Sequence, residues 1–185
     1  MIILLMYESA IRVSELINVR LIDFRFSKPY SIKIVGKGNK QRYVPLSEQF
    51  IEKVQEYVLS LNNKKLETDF LFTNHSNNKL TRAGVSHILN KYVTIARNNN
   101  PSLFKENVTP HSLRHTKAMH LLQDDVNLIY IRDILGHASI QTTEIYARAD
   151  SARLRQAIEK SYKELSTETK CEWQEEEIIN WFKSF

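Results

Sequence analysis

Glycine and proline are scarce in this chain, with four of each in 185 positions. That is about 4% of the sequence against an average near 12%. Many-stranded sandwiches and barrels need such residues in their tight turns, so the shortage disfavours them and favours a helix-rich fold. One cysteine, Cys171, excludes an internal disulfide framework and fits a reducing, cytoplasmic setting. The longest apolar run, Met1–Met6, is too short to span a bilayer and lacks the basic flank of a signal peptide. No membrane partner is therefore expected. Internal repeats, low-complexity tracts and Pro/Ser-rich linkers are also missing.

The charge is modest in sum and uneven in place. The net charge is +5 and the pI about 9.2. Residues 166–185 set Lys170 and Lys183 against Glu168, Glu172, Glu175, Glu176 and Glu177, a net −3, so the other residues carry +8. Between Arg20 and Arg42 stand seven basic residues and one acid, Asp23. Such density suits an electrostatic footprint for nucleic acid, although a lone charge run is more often a solvated hairpin face.

Periodicity predicts the elements. Met1–Val19 reads as one helix that starts without a cap, which raises the expectation of further sequence upstream. Ser31–Val35 and Gln41–Leu46 read as strands around the turn at 36–40. Ser47 caps a predicted helix over 48–61, and Thr81 another that Asn98–Pro101 breaks. Phe70–Thr73 is a strand candidate. Thr109-Pro110 pairs an N-cap with proline at the first helical position, and that helix runs to about Gln123. Asn127 opens a short helix that Gly136 ends, Ser139 another that ends near Tyr146, and Ser151 a longer one. The acidic tail carries Ile178, Ile179, Phe182 and Phe185 at helical spacing, a stripe that docks on its own domain or on another molecule.

Several chemistries fail on residue type. Gly36-Lys37-Gly38-Asn39-Lys40 lacks the glycine spacing and the hydroxyl residue of a phosphate-binding P-loop. No G-x-S-x-G elbow is present. His111 and His115 have a zinc-binding spacing, but Ser112 stands where a zinc peptidase has Glu. No tight carboxylate cluster suggests two-metal nuclease chemistry. What remains is a dispersed set: Arg12, Lys37, His111, Arg114, His137 and Tyr146. His111 and Arg114 share a helix face three residues apart, near a helix start that favours anions. Each alone also has an ordinary explanation, such as Arg12 paired with Glu8 or Glu15.

Together, four segments resemble the tyrosine recombinase (phage integrase) family: Ala10–Leu16, Val35–Lys40, His111–His115, and Leu135-Gly136-His137 through Glu144-Ile145-Tyr146. The resemblance covers about residues 1–165. It implies a mixed α/β catalytic domain, mostly helical with a small antiparallel sheet, followed by the acidic tail at 166–185. It implies site-specific cleavage and rejoining of double-stranded DNA through a 3′-phosphotyrosyl intermediate. Tyr146 would be the nucleophile, Arg12 and Arg114 would grip phosphate oxygens, and Lys37 would protonate the leaving 5′ oxygen. His111 would relay a proton from Tyr146, and His137 would donate to the phosphate. Glu15 would support Arg12, and Lys40 and Arg42, further cations of the hairpin, are read as DNA contacts. No metal and no cofactor are expected.

The family works as a synaptic tetramer, so a homo-oligomer on DNA is expected, with a monomer or weak dimer away from it, in the cytoplasm at the bacterial nucleoid. Members usually carry an N-terminal helical domain that closes a clamp round the duplex, and none is seen in this sequence. Ile11 stands where the family most often has Gly. Two other functions fit part of the pattern: a truncated DNA-binding fragment with impaired catalysis, and a type IB topoisomerase-like enzyme.

Overall fold

The computed structural model describes residues 1–61, 66–103, 108–137 and 139–149. It divides into two compact units, Met1–Glu144 and Ile145–Phe185. The first unit has helices α1 (Ile2–Glu8) and α2 (Val13–Leu16), strands β1 (Phe24–Arg25), β2 (Ser31–Val35) and β3 (Gln41–Pro45), then α3 (Glu48–Ser60), α4 (Arg82–Asn99), α5 (Pro110–Gln123) and α6 (Leu128–Leu135). Helix α7 (Gln141–Ala149) begins in the first unit and continues into the second. The expected architecture is found: mostly helix, with one small antiparallel sheet of order β1-β2-β3.

The sheet buries one face. Phe24, Ile32, Ile34 and Val44 point into a core shared with Leu5, Met6 and Leu16 of the first helices, Phe50, Ile51 and Val54 of α3, Leu71, Phe72 and Val85. Alternation along β3 leaves Gln41, Tyr43 and Pro45 exposed and turns Arg42 and Val44 inward. In register, Ile32 faces Val44 and Ile34 faces Arg42. An arginine thus occupies an inward position at the end of an apolar row. A turn closes β2 to β3: the Gly36 N–H donates to the Lys40 carbonyl at 2.8 Å. Left-handed backbone at Gly38 (φ +72°) and Asn39 (φ +57°) projects Lys37 outward.

The caps fall where the residue types put them. Ser47, Thr81, Thr109 and Asn127 each accept a backbone N–H of the following first turn, and Pro110 opens α5. Ser139 accepts the N–H of Gln141 at 3.2 Å, but the helix it precedes runs on to Ala149. Gly136 ends α6 with φ +61° and a Schellman pattern: its N–H donates to the Asp133 carbonyl and that of His137 to the Arg132 carbonyl, both at 3.1 Å.

Two expectations fail. Met1–Val19 is not one helix, for the chain breaks between Glu8 and Val13. The Ser9 hydroxyl folds back onto the Leu5 carbonyl at 2.6 Å, and Ala10 turns left-handed at φ +47°. The carbonyl this releases accepts an N–H from Arg114 at 2.5 Å. A contact 104 residues away in sequence therefore sets the break. The left-handed position is Ala10, not Ile11, whose side chain is buried in the core. Phe70–Thr73 is not a strand either. It makes only single bridges, Arg20 to Phe70 and Thr73 to Lys79, while Leu71 and Phe72 pack into the core. The predicted helix after Ser151 and the aromatic stripe of the tail lie outside the described residues.

Candidate active site

The end of α6 organises the site. Its last carbonyls have no partner within the helix, and the helix dipole makes them attractive to cations. Three consecutive carbonyls each accept an N–H from a different arginine: Ile134 from Arg42 Nε at 2.9 Å, Leu135 from Arg114 Nη2, and Gly136 from Arg12 Nη2 at 3.2 Å. These arginines come from β3, from α5 and from the residue before α2. Residues far apart in sequence are brought together by main-chain oxygens of one helix turn.

Glu15 joins two of the three. Its carboxylate accepts Arg12 Nη1 at 3.0 Å and the Arg12 backbone N–H at 2.9 Å, and it receives the fork of Arg42 at 3.0 and 2.8 Å. Burial alone would raise the Glu15 carboxyl; the Arg42 hydrogen bonds, the Arg12 backbone N–H, the Arg42 charge and the Arg12 side-chain hydrogen bond together outweigh it and hold the group below the usual carboxylate range. Arg12 keeps 40% of its side chain exposed, whereas Arg42 keeps 12%. Arg114 is 4% exposed and spans the Ala10 and Leu135 carbonyls.

His137 follows the α6 cap. Its Nδ1 lies 3.1 Å from Thr143 Oγ1. Burial first, then the charges of Arg114, Arg12, Arg42 and His111, push its pKa down to about 4, so the free protein holds a neutral imidazole at pH 7. The threonine hydroxyl can donate to this nitrogen or accept from it, and either way it fixes the plane of the imidazole. His111, exposed on the first turn of α5, joins the site through this field.

An open cleft of about 1240 Å³ runs over these groups, lined by Arg12, Glu15, Lys37, Lys40, Arg42, Arg132 and His137 among others. Lys37 and Lys40, on the hairpin turn, are exposed at its edge. Arg42, read from the sequence as a DNA contact, turns its fork onto Glu15. Strand alternation was the available signal, since Arg42 shares a face with buried Val44. Thr143, Arg132 and Asp133 were not singled out from the sequence. Arg132 pairs with Asp133 at 2.6 Å on the cleft wall. Among the described residues no group of three or more His, Cys, Asp or Glu is placed to hold a metal ion. No helix among them is long and apolar enough to cross a membrane. Tyr146 stands in the second unit, on α7, with its side chain 6% exposed.

A small antiparallel sheet with a cation-bearing hairpin, set beside helices that deliver clustered arginines, defines a class of fold. The model of the phage integrase family matches residues 1–153, and the chain belongs to that family. It is 37% identical to tyrosine recombinase XerA of Pyrococcus horikoshii over 164 residues, which make up 87% of this chain and 54% of that protein. Solved structures similar to it include two recombinases. The XerA recombinase has a TM-score of 0.71 at 26% identity and covers 85% of this chain and 55% of its own. The XerH site-specific recombinase, in a post-cleavage complex with a palindromic difH substrate, has 0.70 at 31% identity, with coverages of 85% and 43%. The chain spans about half the length of the curated relatives it matches.

Proposed function

We propose that this chain is the catalytic part of a site-specific DNA recombinase, which cleaves and rejoins strands through a 3′-phosphotyrosyl intermediate. One observation carries this most directly: Arg12, Arg114, His137 and His111, scattered in sequence, share one electrostatic site beside a lysine-bearing turn. That is the equipment for phosphoryl transfer without net hydrolysis. XerH, with which the chain shares 31% identity, was captured on its DNA substrate after cleavage.

The phenol oxygen of Tyr146 attacks the scissile phosphorus, and the bond from phosphorus to the 5′ oxygen breaks. The phenolic proton passes to His111, and the leaving oxygen takes a proton from the Lys37 ammonium. The covalent intermediate keeps the energy of the broken ester, so the reverse steps reseal the strand without ATP. Arg12 and Arg114 stay charged and suit non-bridging oxygens, where charge builds in the transition state. His137 donates a ring N–H to the same phosphate. Burial first and the surrounding cations second keep this imidazole deprotonated, and phosphate binding offsets the cationic share. Lys40, exposed at the cleft edge, contacts the DNA backbone.

Residues 1–165 act as the catalytic domain and 166–185 as a tail that contacts protein. The working assembly is a homo-tetramer on two duplexes at the nucleoid. The test is a nicked suicide substrate. Wild type accumulates a covalent protein–DNA adduct, and Tyr146→Phe binds the DNA nearly as well and forms none. An adduct with that variant refutes the nucleophile. Relaxation of a supercoiled plasmid carrying no target site would refute recombination in favour of a topoisomerase.

A further inference from the structure

Arg42 lines the cleft, yet the phosphoryl-transfer steps above leave it without a task. Its contacts show what it holds. Nε donates to the Ile134 carbonyl, and Nη1 and Nη2 fork onto the two oxygens of Glu15. A guanidinium fork filled by a carboxylate does not offer that edge to a phosphate.

Two glycines press on this pair. A Cβ on Gly36 would stand 3.2 Å from Glu15 Oε1 and 3.8 Å from Arg42 Nη1. A Cβ on Gly136 would stand 2.9 Å from Arg42 Nη1. Gly36 directly precedes Lys37, and Gly136 directly precedes His137. The ion pair is therefore packed between the root of the lysine turn and the end of α6, and the same carboxylate holds Arg12.

Lys37 needs such a reference. It is an exposed, flexible side chain beside two left-handed residues, Gly38 and Asn39. A general acid must come within hydrogen-bond reach of the atom it protonates. We propose that Arg42, acting through Glu15, is a positioning residue that fixes the root of the 36–40 turn against Arg12 and α6 and so places the Lys37 ammonium at the leaving oxygen. This rests on the assignment of Lys37 as general acid. Arg42 touches neither substrate nor reacting atoms.

The test uses the full chain and two suicide substrates that differ in one atom. One carries the natural 5′ bridging oxygen at the scissile phosphate, and the other carries sulfur there. A thiol is far more acidic than an alcohol, so sulfur leaves as thiolate and needs no proton from the protein. Lys37→Ala is expected to slow cleavage of the oxygen substrate at least thirtyfold and of the sulfur substrate less than threefold. Arg42→Met is expected to follow the same pattern, with DNA affinity and its salt slope as in wild type. Arg42→Lys, which keeps the charge and loses the fork, is read the same way if the Met variant fails to fold.

Equal slowing on both substrates would overturn the inference in favour of a general structural role. A salt slope shallower by about one would overturn it in favour of a direct phosphate contact. A Lys37→Ala defect that sulfur does not relieve removes the general acid, and the inference with it. If wild type cleaves neither substrate, the recombinase assignment itself falls. If wild type cleaves both and Arg42→Met does not distinguish them, only the role of Arg42 falls.

Discussion

Gly38 and Gly136 share a left-handed backbone, at φ +72° and +61°, but not a neighbourhood. A Cβ added at Gly38 meets nothing within 4 Å, whereas one added at Gly136 meets Nη1, Cδ and Cζ of Arg42 at 2.9 to 3.1 Å. Alanine at either position adopts a conformation that costs about 1–2 kcal/mol. A stiffer unfolded chain offsets about 0.4–1 kcal/mol of that. Gly38→Ala should therefore destabilise by about 1 kcal/mol. Gly136→Ala carries the same backbone term and must also shift the Arg42 guanidinium, which is held on Glu15 and the Ile134 carbonyl. Deleting one partner of a buried ion pair costs about 3–5 kcal/mol, and displacing it forfeits part of that. The expected loss at Gly136 is about 3 kcal/mol. Urea denaturation of both variants measures the difference, provided the m-values agree with wild type. In an Arg42→Ala background the clash is gone, and Gly136→Ala should cost no more than Gly38→Ala. Costs within about 0.5 kcal/mol of each other in the wild-type background would refute the packing argument, as would an unchanged Gly136→Ala cost once Arg42 is removed.

Acid should act through His137. The group titrates near 4 in the folded chain and near 6.5 when unfolded. Its contribution is complete above pH 6.5 and is lost as pH falls toward 4. After solvent screening, the loss across that window should be about 1–2 kcal/mol greater in wild type than in His137→Gln, read from denaturation curves at pH 7 and pH 4.5. Equal losses in the two proteins would show that His137 is not held neutral. Thr143→Val preserves shape and removes the hydroxyl beside His137 Nδ1. Cleavage should fall about tenfold with the unfolding midpoint little changed; an unchanged rate would show that this contact does not orient the imidazole. Arg114→Lys cannot span the Ala10 and Leu135 carbonyls with one ammonium. It should destabilise by about 2 kcal/mol and cut the cleavage rate at least a hundredfold, and a variant as stable and active as wild type would contradict the bridging geometry.

Local chemistry made much of this fold readable. Thr109-Pro110 and Gly136 mark helix ends because capping and left-handed backbone are decided within a few residues. The break at Ser9–Arg12 was hidden because the apolar period runs through it, and its cause, an arginine on α5, is remote in sequence. Phe70–Thr73 has strand-like residues, but burial of Leu71 and Phe72 explains its apolar character without a ladder. The clustered cations were recognisable as a set from the spacing of four segments. Their mounting was not, because main-chain oxygens carry no signature in side-chain type. The pairing of Arg42 with Glu15 was legible in part, since Val44 two residues on shows which way that face of β3 points.

The mounting at the end of α6 makes different demands on different kinds of sequence change. Ile129, Tyr130 and Asp133 are exposed on that helix, and exchanging them leaves the acceptor oxygens where they are. One residue inserted or deleted within it turns everything beyond by about 100° and shifts it by about 1.5 Å. Ile134, Leu135 and Gly136 would then all present their oxygens to the wrong neighbours in a single step. Descendants of this gene should therefore tolerate wide drift in the composition of α6 and almost none in its length.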